Sequence, residues 1–157
     1  SRKGRILMIG FKGTSTKSFF HYNYQSEESR NEALNDYIRR EKERIEYQEK
    51  AKQQAKEFIN KLTKDTILYA SWGYEQTNVD FYQVVETTSK TVILQEIGAK
   101  TVRYDGGGFS GAVIADPTQK VGEPFRSVVK QGKYCNVKHY TVGHIWDGEP
   151  VSYSSWH

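Results

Sequence analysis

From Ser26 to Thr63 the chain runs without a glycine or a proline, and no other feature constrains the fold as much. Every residue in that stretch can hold helical φ and ψ and donate its amide, so nothing in the backbone stops a helix once started. Ser26 suits the N-cap, and Glu27 and Glu28 put negative charge in the first turn, where the helix dipole favours it. Apolar residues recur at Leu34, Tyr37, Ile38, Ile45, Ala51, Ala55, Phe58, Ile59 and Leu62, close to the helical period. Residues 26–63 are therefore predicted to form one helix, roughly 55 Å long at about 1.5 Å per residue. Its middle, Arg39 to Gln54, is almost wholly polar, with Arg39–Glu43 and Glu46–Lys50 spaced to pair along the surface. A helix with so little to bury bridges, pairs with a second helix or lies on a partner. Self-association into a homodimer is one such outcome, although the apolar stripe is too broken for a regular coiled coil.

The helix divides the chain into three segments: a basic, aromatic arm at 1–25, the helix at 26–63, and a β-rich remainder at 64–157. In the arm, Ile6 to Ile9 and Phe19 to Tyr24 favour strands, and the turn-rich break Lys12 to Lys17 joins them as a hairpin. Phe20, Tyr22 and Tyr24 share one face of the second strand. A two-stranded hairpin is marginal alone, so those rings must dock on something. In 64–157, strands are expected at 66–72, 80–85, 91–97, 100–104, 113–115, 127–130, 137–146 and 151–156. Asp147-Gly148 suggests a hairpin between the last two. Short strands with frequent turn signals imply a small antiparallel barrel or a curled sheet, so the fold class is α+β.

The charge is as uneven as the structure. Residues 1–64 carry 15 Lys/Arg against 9 Asp/Glu, whereas 65–157 carry 8 against 10. Residues 1–25 contain Arg2, Lys3, Arg5, Lys12 and Lys17 and no acid. A basic end of this kind meets an anionic partner or remains a solvated arm. With 157 residues the chain has room for one domain and an arm. No apolar run approaches the roughly 18 residues of a membrane span. The run after Arg5 is four residues, too short for the core of a signal peptide. The lone Cys135 excludes an internal disulfide and fits a reducing, cytoplasmic setting.

Two stretches carry a family resemblance. Tyr69-Ala70-Ser71-Trp72-Gly73-Tyr74-Glu75-Gln76-Thr77-Asn78-Val79-Asp80-Phe81-Tyr82-Gln83-Val84 and the tail Ile145-Trp146-Asp147-Gly148-Glu149-Pro150 resemble a family of small proteins of phages, prophages and plasmids. No assigned catalytic residues come with that family. The resemblance implies a mobile-element origin and action on host defences, as anti-CRISPR-like inhibitors act, or on nucleic-acid machinery. The first stretch is also similar in outline to SH3-like and Tudor-like barrels.

Physically, Trp72, Tyr74, Gln76, Thr77, Asn78 and Asp80 form a polar loop between two strands. It either caps its own turn through side chain-to-backbone bonds or faces a ligand. Gly106 to Gly111 spell G-x-G-x-x-G, but a strand follows instead of a helix, so a hairpin loop is expected rather than a nucleotide cradle. Cys135, His139 and His144 lack a fourth ligand of matching geometry, though His21 or His157 could in principle serve. Cys135 and His139 on a strand stand roughly 13 Å apart, too far for a nucleophile–base pair. Neither a catalytic residue, a metal nor a cofactor is assigned. The best lead is the combination of cations and rings: Arg2, Lys3, Arg5, Lys12, Lys17 and Tyr22 in the arm, with Arg39, Arg40 and Arg44 on the helix. The expected function is that of a non-enzymatic binding protein contacting a host protein or protein–nucleic-acid complex, with direct DNA or RNA binding as the alternative.

Overall fold

The structure is a computed structural model, and it describes residues 4–105, 107, 109–130, 132, 134–138 and 141–155. Arg2, Lys3, Gly106, Gly108, His139 and His157 lie outside the described residues. The fold is α+β: a two-stranded hairpin, one long helix, then a large antiparallel sheet partly closed in a ring. The hairpin is β1 (Ile6–Phe11) and β2 (Ser18–Tyr24), and the helix is α1 (Glu27–Lys61). Seven strands follow: β3 (Ile67–Trp72), β4 (Asn78–Thr87), β5 (Thr91–Asp105), β6 (Ser110–Lys130), β7 (Tyr134–Asn136), β8 (Val142–Ile145) and β9 (Val151–Ser154).

Two compact units divide the chain, Ser1–Gln48 and Glu49–His157. The division falls within α1, not at 25/26 and 63/64, where composition changes. Neither the hairpin nor the helix has a core of its own. In the first unit the hairpin rings meet Tyr37 of the helix, with centroid distances of 5.7 Å from Phe20 and 6.1 Å from Phe19. Ser26 caps α1 as expected, its Oγ accepting the Ser29 amide at 3.1 Å.

In the second unit, the pairings β3–β4–β5–β6–β7–β8–β3 make a ring. Successive residues of β3 and β4 point to opposite faces, and both faces are buried. Leu68, Ala70, Tyr82 and Val84 join one cluster, which Phe58 and Ile59 of α1 and the following Leu62 also enter. Each of those three side chains contributes about 2 kcal/mol on burial. Ile67, Tyr69, Val79 and Phe81 belong to a second cluster, with Ile97, Val113, Trp146 and Tyr153.

β5 and β6 are longer than the short strands expected from the sequence. β6 runs through Pro117 and Pro124 by leaving each outside the ladder. Glu96 pairs with Val121 but Leu94 with Phe125, and Ile97 pairs with Lys120 but Gly98 with Asp116. A residue with no N–H costs nothing in a bulge, and the bulges re-aim the strand. The first half of β6 lines the second cluster, and its second half closes the first.

The expected Asp147-Gly148 hairpin does not form. The segment predicted as one strand, 137–146, contains β8, which pairs with β7 and β3. β9 instead pairs with the start of β6, and Ser154 bridges to Thr77. The Asp-Gly turn exists locally, with Asp147 Oδ1 accepting the Glu149 amide and Trp146 Nε1 donating to Glu149 O. It turns the chain toward a different neighbour. Turn chemistry sets the local bend, but burial of Trp146, Val151 and Tyr153 in the second cluster sets where the next strand goes.

Candidate partner-binding surface

β1 alternates strictly. Ile6, Met8 and Gly10 are half-buried, whereas Leu7, Ile9 and Phe11 are 43%, 46% and 55% exposed. The buried side faces the helix, since Met8, Phe20 and Tyr24 line a groove with Tyr37 and Arg40. Leu7, Ile9 and Phe11 therefore form the opposite, outer face of the hairpin. Cross-strand register adds Asn23 beside Leu7 and His21 beside Ile9. Gly10 permits the inner packing: a Cβ there would lie 2.3 Å from the Phe20 ring. This outer apolar face was not assigned from the sequence, although the alternation from Ile6 to Phe11 contains the signal.

Cations border the face. Arg5 precedes β1, and Lys12 and Lys17 flank the turn, which is closed by Ser15 bonding to the backbone of Lys12 and Lys17. None of the three forms an ion pair with a described residue. Lys12 nevertheless lies near enough to Glu41 to help Arg44 hold that carboxyl below its usual range.

The helix arginines are disposed differently. Asp36 accepts from both Arg39 and Arg40, the second at 2.7 Å, and Arg39 also meets Glu43 at 3.1 Å. Arg44 pairs with Glu41 at 2.6 Å. The hydrogen bond from Arg39, more than any other influence, holds the Asp36 carboxyl below the ordinary carboxylate range. Exposed pairs of this kind add little stability. Their consequence is electrostatic: each of the three arginines already has a carboxylate within one turn. Arg40 and Tyr22 do come together, in a groove of ≈ 240 Å³ where Tyr22 stacks on Phe20 at 5.7 Å. Arg39 and Arg44 do not line that groove.

The polar loop between β3 and β4 is largely engaged with itself and with β9. Trp72 Nε1 donates to Asp80 Oδ2 at 2.6 Å. Thr77 exchanges backbone bonds with Ser154, whose Oγ also accepts the Thr77 amide. Gln76 Nε2 donates to Asn78 Oδ1. These bonds join side chain to side chain and tie the Thr77 backbone to β9. Tyr74, Gln76 and Thr77 are exposed, Tyr74 fully.

Cys135 lies opposite Gly143 in the β7–β8 pair, so it and His144 point to opposite faces. The thiol is fully buried, and burial pushes it up to about 11. His144 packs between Tyr69 and Tyr134. Among the described residues no group of three His, Cys, Asp or Glu side chains could hold a metal ion, and no helix is long and apolar enough to cross a membrane. The folded protein is expected to react with a thiol reagent at neutral pH no faster than it unfolds, and denaturant is expected to release the full reactivity of Cys135. Rapid labelling without denaturant would contradict the buried placement.

Comparison of the chain with protein-family models, curated proteins and solved structures finds no match.

Proposed function

We propose that this is a non-enzymatic binding protein of a mobile genetic element, which inhibits or adapts a host nucleic-acid machine or defence complex through protein contacts. The contact is made by the outer face of the hairpin. The observation that carries this reading is the apolar row Leu7, Ile9 and Phe11, bordered by Arg5, Lys12 and Lys17. An aliphatic and aromatic centre with a charged rim is the anatomy of a protein interface. A wholly basic rim calls for a partner whose own rim is acidic. The polar loop, closed by its internal bonds, serves as framework in this reading, and the β-rich unit is the platform.

Direct nucleic-acid binding is the second reading. The stacked rings of Phe20 and Tyr22 beside Arg40 favour it, because a base can stack where a ring is open and a cation is near. The pairing of Arg39, Arg40 and Arg44 with carboxylates weighs against it, since each phosphate contact must displace an acid. Pairing through the exposed Leu34, Ile38 and Ile45 of α1 would make the protein a homodimer, which sedimentation measures directly.

The test compares the parent with two exposed-face variants, Ile9→Glu/Phe11→Glu and Arg5→Glu/Lys17→Glu. Each is used to capture host proteins and to titrate labelled DNA and RNA across a salt series. A host protein held by the parent and lost by both variants is the expected result. Nucleic-acid binding that weakens steeply with salt, with no protein captured, would replace the first reading with the second. Capture unaffected by either variant would remove the hairpin from the function.

A further inference from the structure

One face of α1 takes part in no packing. Ala33, Tyr37 and Arg40 turn toward the hairpin rings, and Phe58 and Ile59 enter the first cluster. Leu34, Ile38 and Ile45 do neither and are 39%, 41% and 47% exposed. Two features distinguish this row from apolar residues scattered on a surface.

The first is spacing. Leu34, Ile38, Glu41 and Ile45 stand four, three and four residues apart. The same alternation continues outward, to Asn31 and Glu27 on one side and to Gln48 and Lys52 on the other. Alternating intervals of four and three place all these residues along one seam of a single α-helix, the seam through which helices pair. It is apolar only near its centre, which suits a local crossing of two helices rather than a long coiled coil.

The second is symmetry. Laid antiparallel to itself about the point between Arg39 and Arg40, the seam is self-complementary. Leu34 then meets Ile45, Asn31 meets Gln48 and Glu27 meets Lys52, each twice, as a two-fold interface requires. Ile38 meets Glu41, a carboxylate that already has its own cation in Arg44 at 2.6 Å. A parallel pair in register would instead set Glu27 on Glu27, Glu41 on Glu41 and Lys52 on Lys52. Like charges brought together oppose that arrangement, and opposite charges at both ends favour the antiparallel one.

We infer that α1 pairs with α1 of a second copy of this chain, antiparallel and centred between Arg39 and Arg40. The seam shares no residue with the outer hairpin face of Leu7, Ile9 and Phe11, so the dimer leaves that face unchanged.

The experiment is sedimentation equilibrium of the full chain at low salt, over about a 100-fold range of concentration. Leu34→Asp/Ile45→Asp sets four carboxylates at the centre of the pair. Orientation is tested separately with Glu27→Lys, Lys52→Glu and the two together, all at exposed positions. The parent is expected to dimerise, and Leu34→Asp/Ile45→Asp to associate at least ~100-fold more weakly. Each single charge reversal is expected to weaken association at least ~3-fold, and the double reversal to return it to within ~2-fold of the parent. In a parallel pair all three charge variants would associate alike, because each leaves like charge on like. A parent that stays monomeric, association untouched by the central carboxylates, or a double reversal no better than either single would each overturn the inference. Loss of the dimer leaves the hairpin contact standing, and loss of partner capture in Ile9→Glu/Phe11→Glu leaves the dimer standing.

Discussion

Replacing Tyr82 with alanine is expected to lower stability by about 3–5 kcal/mol, the loss typical of truncating a buried ring. Replacing it with phenylalanine is expected to leave stability unchanged or to raise it by up to about 1 kcal/mol. Tyr82 is fully buried at the centre of the first cluster and packs edge-on to Phe125 at 5.8 Å. Its hydroxyl makes no hydrogen bond of normal geometry with a described residue, although the Lys138 backbone lies close enough to favour the charged oxygen weakly. The ring therefore stabilises the fold while the oxygen opposes it, and only a phenylalanine variant separates the two. Urea denaturation of the parent and both variants gives the comparison. A Tyr82→Phe protein less stable by more than about 1 kcal/mol would show that the hydroxyl is satisfied after all.

The same hydroxyl sets an alkaline limit. Burial, followed by the nearby negative charges of Asp80 and Glu96, raises the phenol well above its ordinary value, against a smaller opposing pull from the Lys138 backbone. At pH above about 10 the unfolded chain ionises this tyrosine and the folded chain does not. The unfolded state then binds fewer protons, so stability falls as pH rises beyond that point and is unaffected below it. In Tyr82→Phe this part of the alkaline loss disappears. Urea midpoints measured from about pH 8 to about pH 11 for the two proteins are expected to keep a constant difference at the acid end and to diverge at the alkaline end.

Gly73→Ala is expected to cost about 3 kcal/mol, combining two separate penalties. Gly73 has φ +126°, a conformation that L side chains rarely adopt. A Cβ there would also lie 1.9 Å from the carbonyl oxygen of Gln76, a backbone atom that cannot swing aside. The chain between Trp72 and Thr77 must open to admit the methyl. Its first casualty is the Thr77–Ser154 bridge that ties β9 to the start of β4. Hydrogen exchange at Thr77 and Ser154 is therefore expected to accelerate more than at the centre of β4. Uniform loss of protection across the sheet would instead mean that the loop and the ring open as one.

The hairpin face and the helix arginines differ in how far they can be found in the sequence. Strand alternation places Leu7, Ile9 and Phe11 on one face, and the absence of acid near them is visible in the residues themselves. What the residues do not reveal is which face is outward, because that depends on Tyr37 receiving Phe19 and Phe20. The helix arginines show the same dependence on neighbours. Their number suggests a phosphate-binding face, but Asp36, Glu41 and Glu43 stand within one turn and reach them first.

By itself, the sequence determined what the backbone decides locally. The helix and its Ser26 cap, the hairpin, the α+β class and the local bend at Asp147-Gly148 all follow from period, capping and turn chemistry over a few residues. Tertiary structure decided partnership. It sent β9 to β6 instead of β8, carried β6 past two prolines and divided the chain inside α1. These outcomes depend on which apolar faces can be buried together after long loops have closed. That free energy belongs to pairs of segments far apart in the chain, and no single segment carries it.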